Sequence, residues 1–433
     1  NSFLITCYME TYGKILLIAM PAFLILVLFE KWWGWRKHND TVRNMDMVSS
    51  LSSGVTNVTK DVLGLSIAII AYSWLVQQIA VIHITTTWLT YLIAFIAIDF
   101  AGYWVHRWSH HINILWNLHI IHHSSEEFNL ACALRQSITM FVNPFTFLLI
   151  PAALVGVPPI VIATVGPLHL FAQFWYHTQH IGKMGFLEKI IVTPSHHRVH
   201  HAINKEYLDK NLGQIFIFWD KFFGTYQEEL KEAPPVYGIT RPVRTWNPIK
   251  INFSHLWLMM KDAWHTNSWK EKFILWFKPT GYRPADVIEK YPVYKIDDPY
   301  HFEKYDTKAS TPLHVWTWVQ LMMLLLFVSY FFGSIATINS MGTQYIFWYG
   351  GFIFLTVYAL TELMDRNPWA LFWEAARSGL GLAFLLQQND WFGSVTYFSP
   401  VMYALGAYFI FSFLVTAWFV VKHRKEDALE MAA

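Results

Sequence analysis

Nine apolar runs, separated by polar segments, set the pattern of the chain. The runs cover residues 15–29, 62–82, 88–105, 140–157, 159–176, 315–332, 345–363, 370–386 and 397–421. A helix of about 20 apolar residues crosses the hydrocarbon core of a bilayer, so runs of this length predict membrane-spanning helices. The pattern therefore predicts an all-α integral membrane protein, folded as a multi-span helical bundle.

Three of these runs are weaker than the others. Prolines interrupt the fourth and the fifth run, at 140–157 and 159–176. Because proline kinks a helix but is tolerated at membrane depth, we expect this pair to form a short hairpin that crosses the bilayer only in part. The eighth run contains Glu374 and Arg377, which weaken its apolar character.

A long polar region, residues 177–312, follows the fifth run and is too polar to span a membrane. We therefore expect two parts. Residues 1–312 form a catalytic domain whose polar region lies in the cytosol, and residues 313–433 form a C-terminal four-helix transmembrane region. If the N-terminus lies outside, the count of crossings places every basic stretch on the cytosolic side, as the positive-inside rule requires. The membrane is then the endoplasmic reticulum in a eukaryote and the inner membrane in a bacterium.

Histidine clusters lie at the ends of the third and the fifth run. His106 and His110 are four residues apart and share one face of a helix. One H-x-x-H-H motif follows at positions 119, 122 and 123, and a second at positions 197, 200 and 201. A separate pair, His177 and His180, lies between them. Neutral imidazole is a common nitrogen ligand of iron, zinc, copper and nickel. All clusters fall on one side of the membrane, so the sequence predicts a metal site in a histidine-rich helical cap on the cytosolic side.

The number of histidines is enough for two metal ions. About nine are available, whereas one structural zinc ion needs only four ligands. Cys7 and Cys132 lie far apart and indicate neither a disulfide framework nor a cysteine-type zinc site. Iron is the natural choice for O₂ chemistry on an unreactive C–H bond, although the spacing alone leaves zinc and copper open.

Composition agrees with a membrane protein that acts on lipids. Apolar residues make up 54% of the chain and charged residues 14%, a balance that soluble enzymes do not show. The net charge of +2 gives no indication of a nucleic-acid partner, and no protein partner is predicted. The chain begins at Asn1; we expect its natural start to have been lost or processed, and we find no pattern of a removable signal peptide.

Several segments resemble the membrane fatty acid hydroxylase/sterol desaturase superfamily. They are HRWSH, HIIHHSSEEFN, HHRVHH and NLGQIFIFWDKFFGTY, which are similar to its three histidine boxes and its N-x-G…W-D-x-x-F-G-T segment. Within that superfamily, HHSSEEFNLACALRQS and VYGITRPVRTWNPIKINFSHLW resemble the alkylglycerol monooxygenase family, whose members cleave ether lipids with tetrahydrobiopterin. The resemblance covers most of residues 88–284 and, more loosely, the last four apolar runs.

The resemblance implies a set of nine metal ligands. They are His106, His110, His119, His122, His123, His177, His197, His200 and His201. His180 falls where the family does not require histidine, and His111 stands where the nearest relatives carry glutamate. The role of these two residues is left open.

Eight further residues are predicted to support the ligands or to bind cofactor or substrate. They are Asp99, Glu126, Asn129, Arg135, Gln136, His196, Asn211 and Asp220. Asp99 lies inside an apolar run, where a charge is costly, and shares a helix face with His106. We expect it to accept the free ring N–H of a ligand. Asn211 and Asp220 are expected to lock the fold around the third histidine box.

The function implied is that of a di-iron monooxygenase. It uses O₂ to hydroxylate the ether-linked carbon of an alkylglycerol-type lipid from the bilayer, and gives a fatty aldehyde and a glycerol derivative. The resemblance implies that tetrahydrobiopterin supplies the electrons. Three alternatives stay open: a hydroxylase or desaturase of another lipid or sterol with a separate electron donor, a metal transporter, and an inactive scaffold that retains the histidines for folding.

Overall fold

A computed structural model describes residues 2–65 and 67–432, so Asn1, Ser66 and Ala433 lie outside the described residues, as does the side chain of Cys7. Within them the helices are α1 (Ser2–Arg36), α2 (Asn44–Val62), α3 (Tyr72–Ile79), α4 (Trp88–His111), α5 (Ile120–His123), α6 (Ile150–Leu154), α7 (Pro159–Phe171), α8 (Pro194–His200), α9 (Phe218–Phe223), α10 (Pro248–His265), α11 (Trp269–Ile274), α12 (Ala285–Lys290), α13 (Thr311–Gly333), α14 (Ile335–Met341), α15 (Thr343–Met364), α16 (Ala370–Gln388) and α17 (Val401–Ala432). Two short strands, β1 (Ile67–Ala68) and β2 (Val142–Asn143), pair in parallel, with Ile67 opposite Val142.

Five helices are long and apolar enough to cross a membrane. They are Gly13–Arg36 within α1, Trp88–His111, Thr311–Gly333, Thr343–Met364 and Val401–Leu429 within α17. The apolar runs at 15–29, 88–105, 315–332, 345–363 and 397–421 correspond to these helices. The prediction of an all-α, multi-span membrane protein is therefore confirmed, while its cytosolic orientation stays a prediction.

The second predicted span, residues 62–82, is wrong. Its residues are divided among the end of α2, β1 and α3. Helix α2 precedes this segment, and the apolar pattern did not predict it. It is rich in Ser, Thr and Asn, yet most of its residues are buried. Small side chains allow close approach between helices, which explains why a polar sequence packs between α13 and α15.

The three weaker runs also differ from full spans. The fourth and fifth form only short apolar helices, Phe145–Leu154 and Pro159–Phe171. Their partial crossing of the bilayer as a hairpin stays a prediction. The eighth forms α16, which is 19 residues long but is not apolar enough to count among the candidate membrane spans. Its charges are neutralised inside the bundle, because Arg377 Nε donates to Glu374 Oε2 at 3.0 Å and Arg377 Nη1 donates to Tyr408 at 3.1 Å.

The largest hydrophobic core joins both sides of the predicted boundary at residue 312. Val48 and Val55 of α2 belong to it together with Leu324 of α13 and Phe352 of α15. The two-part division therefore stays a prediction, and the C-terminal helices pack directly on the part that carries the histidines.

Candidate metal centre

Four segments supply the nine histidines. The last turns of α4 carry His106 and His110, and the turn around α5 carries His119, His122 and His123. His177 follows α7, and α8 with the residue after it supplies His197, His200 and His201. Folding of the apolar helices brings these distant segments together.

The nine histidines form two adjoining groups. His106, His110, His119, His123 and His200 form the first group, and His122, His177, His197 and His201 form the second. Within each group one ligand atom per residue lies within 4.8 Å of every other. The two groups touch, because the rings of His123 and His201 stack with centroids 4.3 Å apart. The structure thus brings all nine predicted residues together, and their role as metal ligands stays a prediction.

Backbone carbonyls fix the orientation of several of these rings. His106 Nδ1 donates to Leu212 O at 2.7 Å, and His200 Nδ1 donates to Lys210 O at 3.0 Å. In the second group His122 Nδ1 donates to Arg135 O at 3.2 Å, and His177 Nδ1 donates to Gln173 O at 3.1 Å. A carbonyl can only accept, so each Nδ1 carries the proton and each Nε2 keeps a free lone pair.

The free lone pairs of two of these rings face each other, because the Nε2 atoms of His122 and His177, whose Nδ1 atoms both donate to carbonyls, are 3.3 Å apart. The Nε2 atoms of His106 and His119 are 2.8 Å apart, as are those of His177 and His197. The Nε2 atoms of His110, His123 and His200 are buried without a hydrogen-bond partner among the described residues. Unpaired buried nitrogens and opposed lone pairs are unfavourable unless a cation lies between them. The donor set therefore fits metal ions. In a cluster without metal, the unpaired buried nitrogens and opposed lone pairs would destabilise the fold.

Helix α8 begins with a capping box that orients the third histidine box. The backbone N–H of Thr193 donates to His196 Nδ1 at 3.4 Å, and Pro194 occupies the first turn. The ring of His196 closes the helix start in this way, and its predicted support of the metal ligands stays a prediction. The capped helix then presents His197, His200 and His201 on the side of the centre.

Asp99 does not accept a hydrogen bond from any of the nine predicted ligands, contrary to expectation. It lies seven residues before His106, about 10 Å along a helix, which is too far for direct contact. Its carboxylate instead accepts from His169 Nε2 at 2.8 Å, from Trp219 Nε1 at 2.8 Å, and from the backbone N–H groups of residues 215 and 216. Asp99 thus fixes the segment that follows the third box against α4.

Asp220 and Asn211 hold the same segment from inside. Asp220 accepts from the backbone N–H of Leu212 at 2.6 Å and of Gly213 at 2.7 Å, and Leu212 in turn holds His106. Burial raises the pKa of Asp220 to about 6. A Cβ at Gly213 would lie 2.7 Å from Asp220 Oδ2, so glycine is required there. Asn211 Nδ2 donates to His196 O at 3.1 Å, so both residues form hydrogen bonds with the backbone of this region.

We expect Asp99→Ala to destabilise the protein, because it leaves one buried and three partly buried donors unpaired. Each buried donor without an acceptor costs about 1–3 kcal/mol. The apparent melting temperature in detergent should fall strongly for Asp99→Ala, and less for Asp99→Asn, which keeps one of the two acceptor oxygens. Equal melting temperatures for the alanine variant and the parent protein would contradict this role.

The four polar residues after the second box hold the fold together. Glu126 accepts from the backbone N–H of Tyr305 at 2.6 Å, and Asn129 donates to Thr41 O at 2.7 Å. Arg135 forms a buried ion pair with Asp46 at 2.7 Å. Gln136 donates to Ala133 O at 3.0 Å. None of the four lines the large cleft beside the histidines, although Glu126 and Arg135 line a separate, small cavity. Their predicted role in binding a cofactor or headgroup stays a prediction.

That cleft has a volume of about 850 Å³ and opens beside both histidine groups. His110, His123 and His200 of the first group line it, and so does His201 of the second. Its lining includes apolar side chains such as Trp116 and Ile120 and polar ones such as Arg241. A volume of this size accommodates a drug-sized molecule, and the four histidines in its lining place such a molecule next to the candidate metal centre.

Sequence reasoning missed one carboxylate at the centre. Asp209 Oδ1 accepts from His110 Nδ1 at 3.2 Å and lines the cleft. Its backbone φ is +58°, an uncommon conformation for a residue other than glycine. A carboxylate behind a histidine ligand orients the ring and strengthens it as a donor. The signal was present, because Asp209 belongs to LDKN, two residues before Asn211.

The stability of the metal-free protein should fall as the pH is lowered. Burial lowers the pKa of His122 to about 4, and lowers the pKa of His177 and His201 well below the ordinary value. Below about pH 6.5 the unfolded chain binds protons that the folded chain rejects, so stability is lost between about pH 6.5 and 4. Thermal unfolding of chelator-treated protein at a series of pH values tests this. A melting temperature that is level or rises toward pH 4.5 would contradict it.

Comparison with known proteins shows which proteins this chain resembles. The family model for fatty acid hydroxylase matches residues 91–225. Alkylglycerol monooxygenase of Homo sapiens is 34% identical over 409 residues, which cover 92% of this chain and 87% of that protein. The Xenopus tropicalis alkylglycerol monooxygenase is 32% identical over 86% of this chain and 82% of its own length. A Delta(7)-sterol 5(6)-desaturase of Aspergillus fumigatus is 31% identical over 34% of this chain and 42% of its own length. No solved structure matches.

Proposed function

This chain belongs to the alkylglycerol monooxygenase family, whose members are oxygen-dependent oxidoreductases, and we propose that it hydroxylates the ether-linked carbon of alkylglycerol-type lipids. Membership of this family favours an enzyme over a metal transporter. One observation carries the proposal: two adjoining groups of buried imidazoles, with lone pairs directed at one another, lie beside a large cleft.

The proposed metals are two iron ions. The five histidines of the first group would hold one ion and the four of the second would hold the other. When bound and reduced, iron supplies the activation of O₂ that attack on a C–H bond needs. An all-imidazole set carries no negative charge, unlike the glutamate-rich sets of ferritin-like di-iron proteins.

The proposed reaction balances with one O₂ and a two-electron donor. One oxygen atom enters the C–H bond next to the ether oxygen, and the other leaves as water with two electrons and two protons. The product is a hemiacetal, whose C–O bond to glycerol breaks to give a fatty aldehyde and a glycerol derivative. The ether oxygen makes this C–H bond easier to attack, since its lone pair stabilises a neighbouring electron-deficient carbon.

Tetrahydrobiopterin is the proposed electron donor. Support comes from the resemblance of HHSSEEFNLACALRQS to the pterin-dependent family. A water-soluble donor needs access from the aqueous side, and the cleft offers it through a wall that includes Arg241, Lys261 and Lys295. We place this side in the cytosol, because the basic segments of the chain then obey the positive-inside rule.

Aromatic side chains surround the second histidine group. The ring of Tyr176 lies 4.3 Å from that of His197, and the ring of Phe128 lies 5.2 Å from that of His201. Both aromatic side chains are fully or almost fully buried. They exclude water from this side of the centre and limit the routes to it.

A turnover assay with a labelled alkylglycerol tests the proposal. Purified protein, loaded with ferrous iron, should release labelled fatty aldehyde in the presence of O₂ and tetrahydrobiopterin. Omission of either should abolish the product. The absence of aldehyde under these conditions would reject the proposed substrate, and product formation with a separate redox protein instead of pterin would favour another lipid hydroxylase or desaturase.

A further inference from the structure

A row of large apolar side chains is exposed on α10, α11 and the turn that follows. Its members are Trp257, Met260, Trp264, Trp269, Phe273 and Phe277, with exposed fractions from 48% to 81%. On α10 the spacing of three, then four, places the first three on one helix face. None of the six lies in a helix that qualifies as a membrane span. Soluble surfaces seldom expose so many large apolar residues together, so this face requires an explanation. We call it the aromatic face.

Hydrogen bonds fix the depth of this face relative to the membrane. The turn at 275–277 is tied to the end of the membrane helix α4: Ile114 N donates to Trp276 O at 2.9 Å and Asn113 N donates to Lys278 O at 2.9 Å. Thr280 N donates to His111 O at 3.2 Å. The apolar run of α4 ends at residue 105 and the helix ends at His111, about 9 Å farther along its axis. The turn therefore lies in the headgroup layer, just outside the hydrocarbon core.

The charges around the aromatic face suit a lipid surface. Residues 248–283 contain six Lys or Arg and two acidic residues. Both acidic residues are engaged, because Asp262 pairs with Arg283 and Glu271 accepts from Tyr282. Lys270 is exposed, and Lys272 Nζ lies 5.8 Å from the centroid of the Trp269 ring. Lysines beside Trp and Phe are the arrangement that binds the headgroup layer of a bilayer.

The opposite side of α10 faces the centre. Ser254, His255, Leu258 and Lys261 line the cleft, and His255 Nε2 hydrogen-bonds Asn113 O at 3.1 Å. Helix α10 therefore separates the aromatic face from the cleft.

We propose that α10, α11 and the turn at 275–277 lie in the headgroup layer of the membrane that α4 crosses, with the aromatic face in contact with lipid. This segment is then an interfacial anchor, and α10 forms the wall between the lipid and the cleft. The sequence predicted that water surrounds all of residues 177–312. In this proposal, α10, α11 and the turn at 275–277 contact lipid instead. The inference depends on α4 as a membrane helix and not on the chemistry of the centre.

Spin labels at single cysteines measure the depth directly. In a Cys7→Ser background, with the buried Cys132 retained, a nitroxide is attached at position 264, 273 or 277 of protein in phosphatidylcholine/phosphatidylglycerol vesicles. A label at position 301, whose side chain is 83% exposed and lies outside the aromatic face, is the matched control. Collision with O₂, which concentrates in the bilayer, is compared with collision with a water-soluble nickel chelate. A melting temperature in detergent equal to that of the parent shows that each labelled protein is folded.

We expect the ratio of O₂ to nickel accessibility at all three positions to exceed that at position 301 several-fold. A ratio equal to that at position 301 would show that the face is in water and overturn the proposal. Low accessibility to both reagents would show that a protein, such as a second copy, covers the face, and would overturn it as well.

Discussion

Replacement of His110 by alanine is expected to reduce turnover by about a thousandfold or more, and to remove about one metal ion per chain. Loss of a residue that merely supports a ligand costs about 10–100-fold, and loss of a ligand itself should cost more. His110 belongs to the first histidine group, and its Nε2 is buried with no hydrogen-bond partner in the described part of the chain. The measurements are initial rates with the labelled lipid and metal analysis of the purified variant.

The neighbouring histidine provides the control for this variant. The ring of His111 is exposed, and its Nδ1 hydrogen-bonds Arg107 O at 2.8 Å, so it belongs to neither group. We expect His111→Ala to keep its metal and to change turnover by no more than about twofold, as for most surface substitutions. If both variants lose metal and activity equally, or if neither does, the grouping of the histidines is wrong.

Asp46→Ala is expected to lower the free energy of unfolding by about 3–5 kcal/mol, because it leaves Arg135 as a buried charge without its partner. Both side chains are almost completely buried, and Asp46 also accepts from Ser125 at 2.8 Å. The carbonyl of Arg135 holds His122, so we expect the variant to bind metal more weakly as well. Thermal unfolding with and without added iron measures both effects.

An exposed ion pair of similar length serves as the comparison. Arg43 and Asp306 are 2.8 Å apart, but half of the Asp306 side chain is accessible to solvent. Asp306→Ala should cost less than about 1 kcal/mol, since water screens and replaces an exposed pair. Equal losses for Asp46→Ala and Asp306→Ala would show that burial of the Asp46–Arg135 pair does not determine its contribution.

The histidine clusters could be predicted because their spacing is local, whereas the set of nine that meets at the centre was implied by the family resemblance. His106 and His110 share a helix face by their separation alone, and the H-x-x-H-H motifs of α5 and α8 place adjacent imidazoles on one turn. Their division into a group of five and a group of four could not be predicted. It depends on the tertiary path that places His200 beside His110 and His201 beside His122.

Hydropathy predicted the long membrane helices but not what packs between them. Helix α2 is polar in sequence and buried in the fold, so its environment is set by α13 and α15 and not by its own pattern. The same limit applies to Asp99, whose partner His169 comes from α7, and to Asp209, whose partner His110 comes from α4. Contacts between segments that are distant along the chain determine these roles, and the spacing of residues in the sequence does not reveal such contacts.

The most direct test of the central claim is the metal content of active protein. We expect about two iron ions per chain after purification, with activity lost on chelation and restored by ferrous iron in proportion to occupancy, as a two-metal site requires. Fully active protein that contains zinc or copper in place of iron, or far less than one iron per chain, would contradict the account.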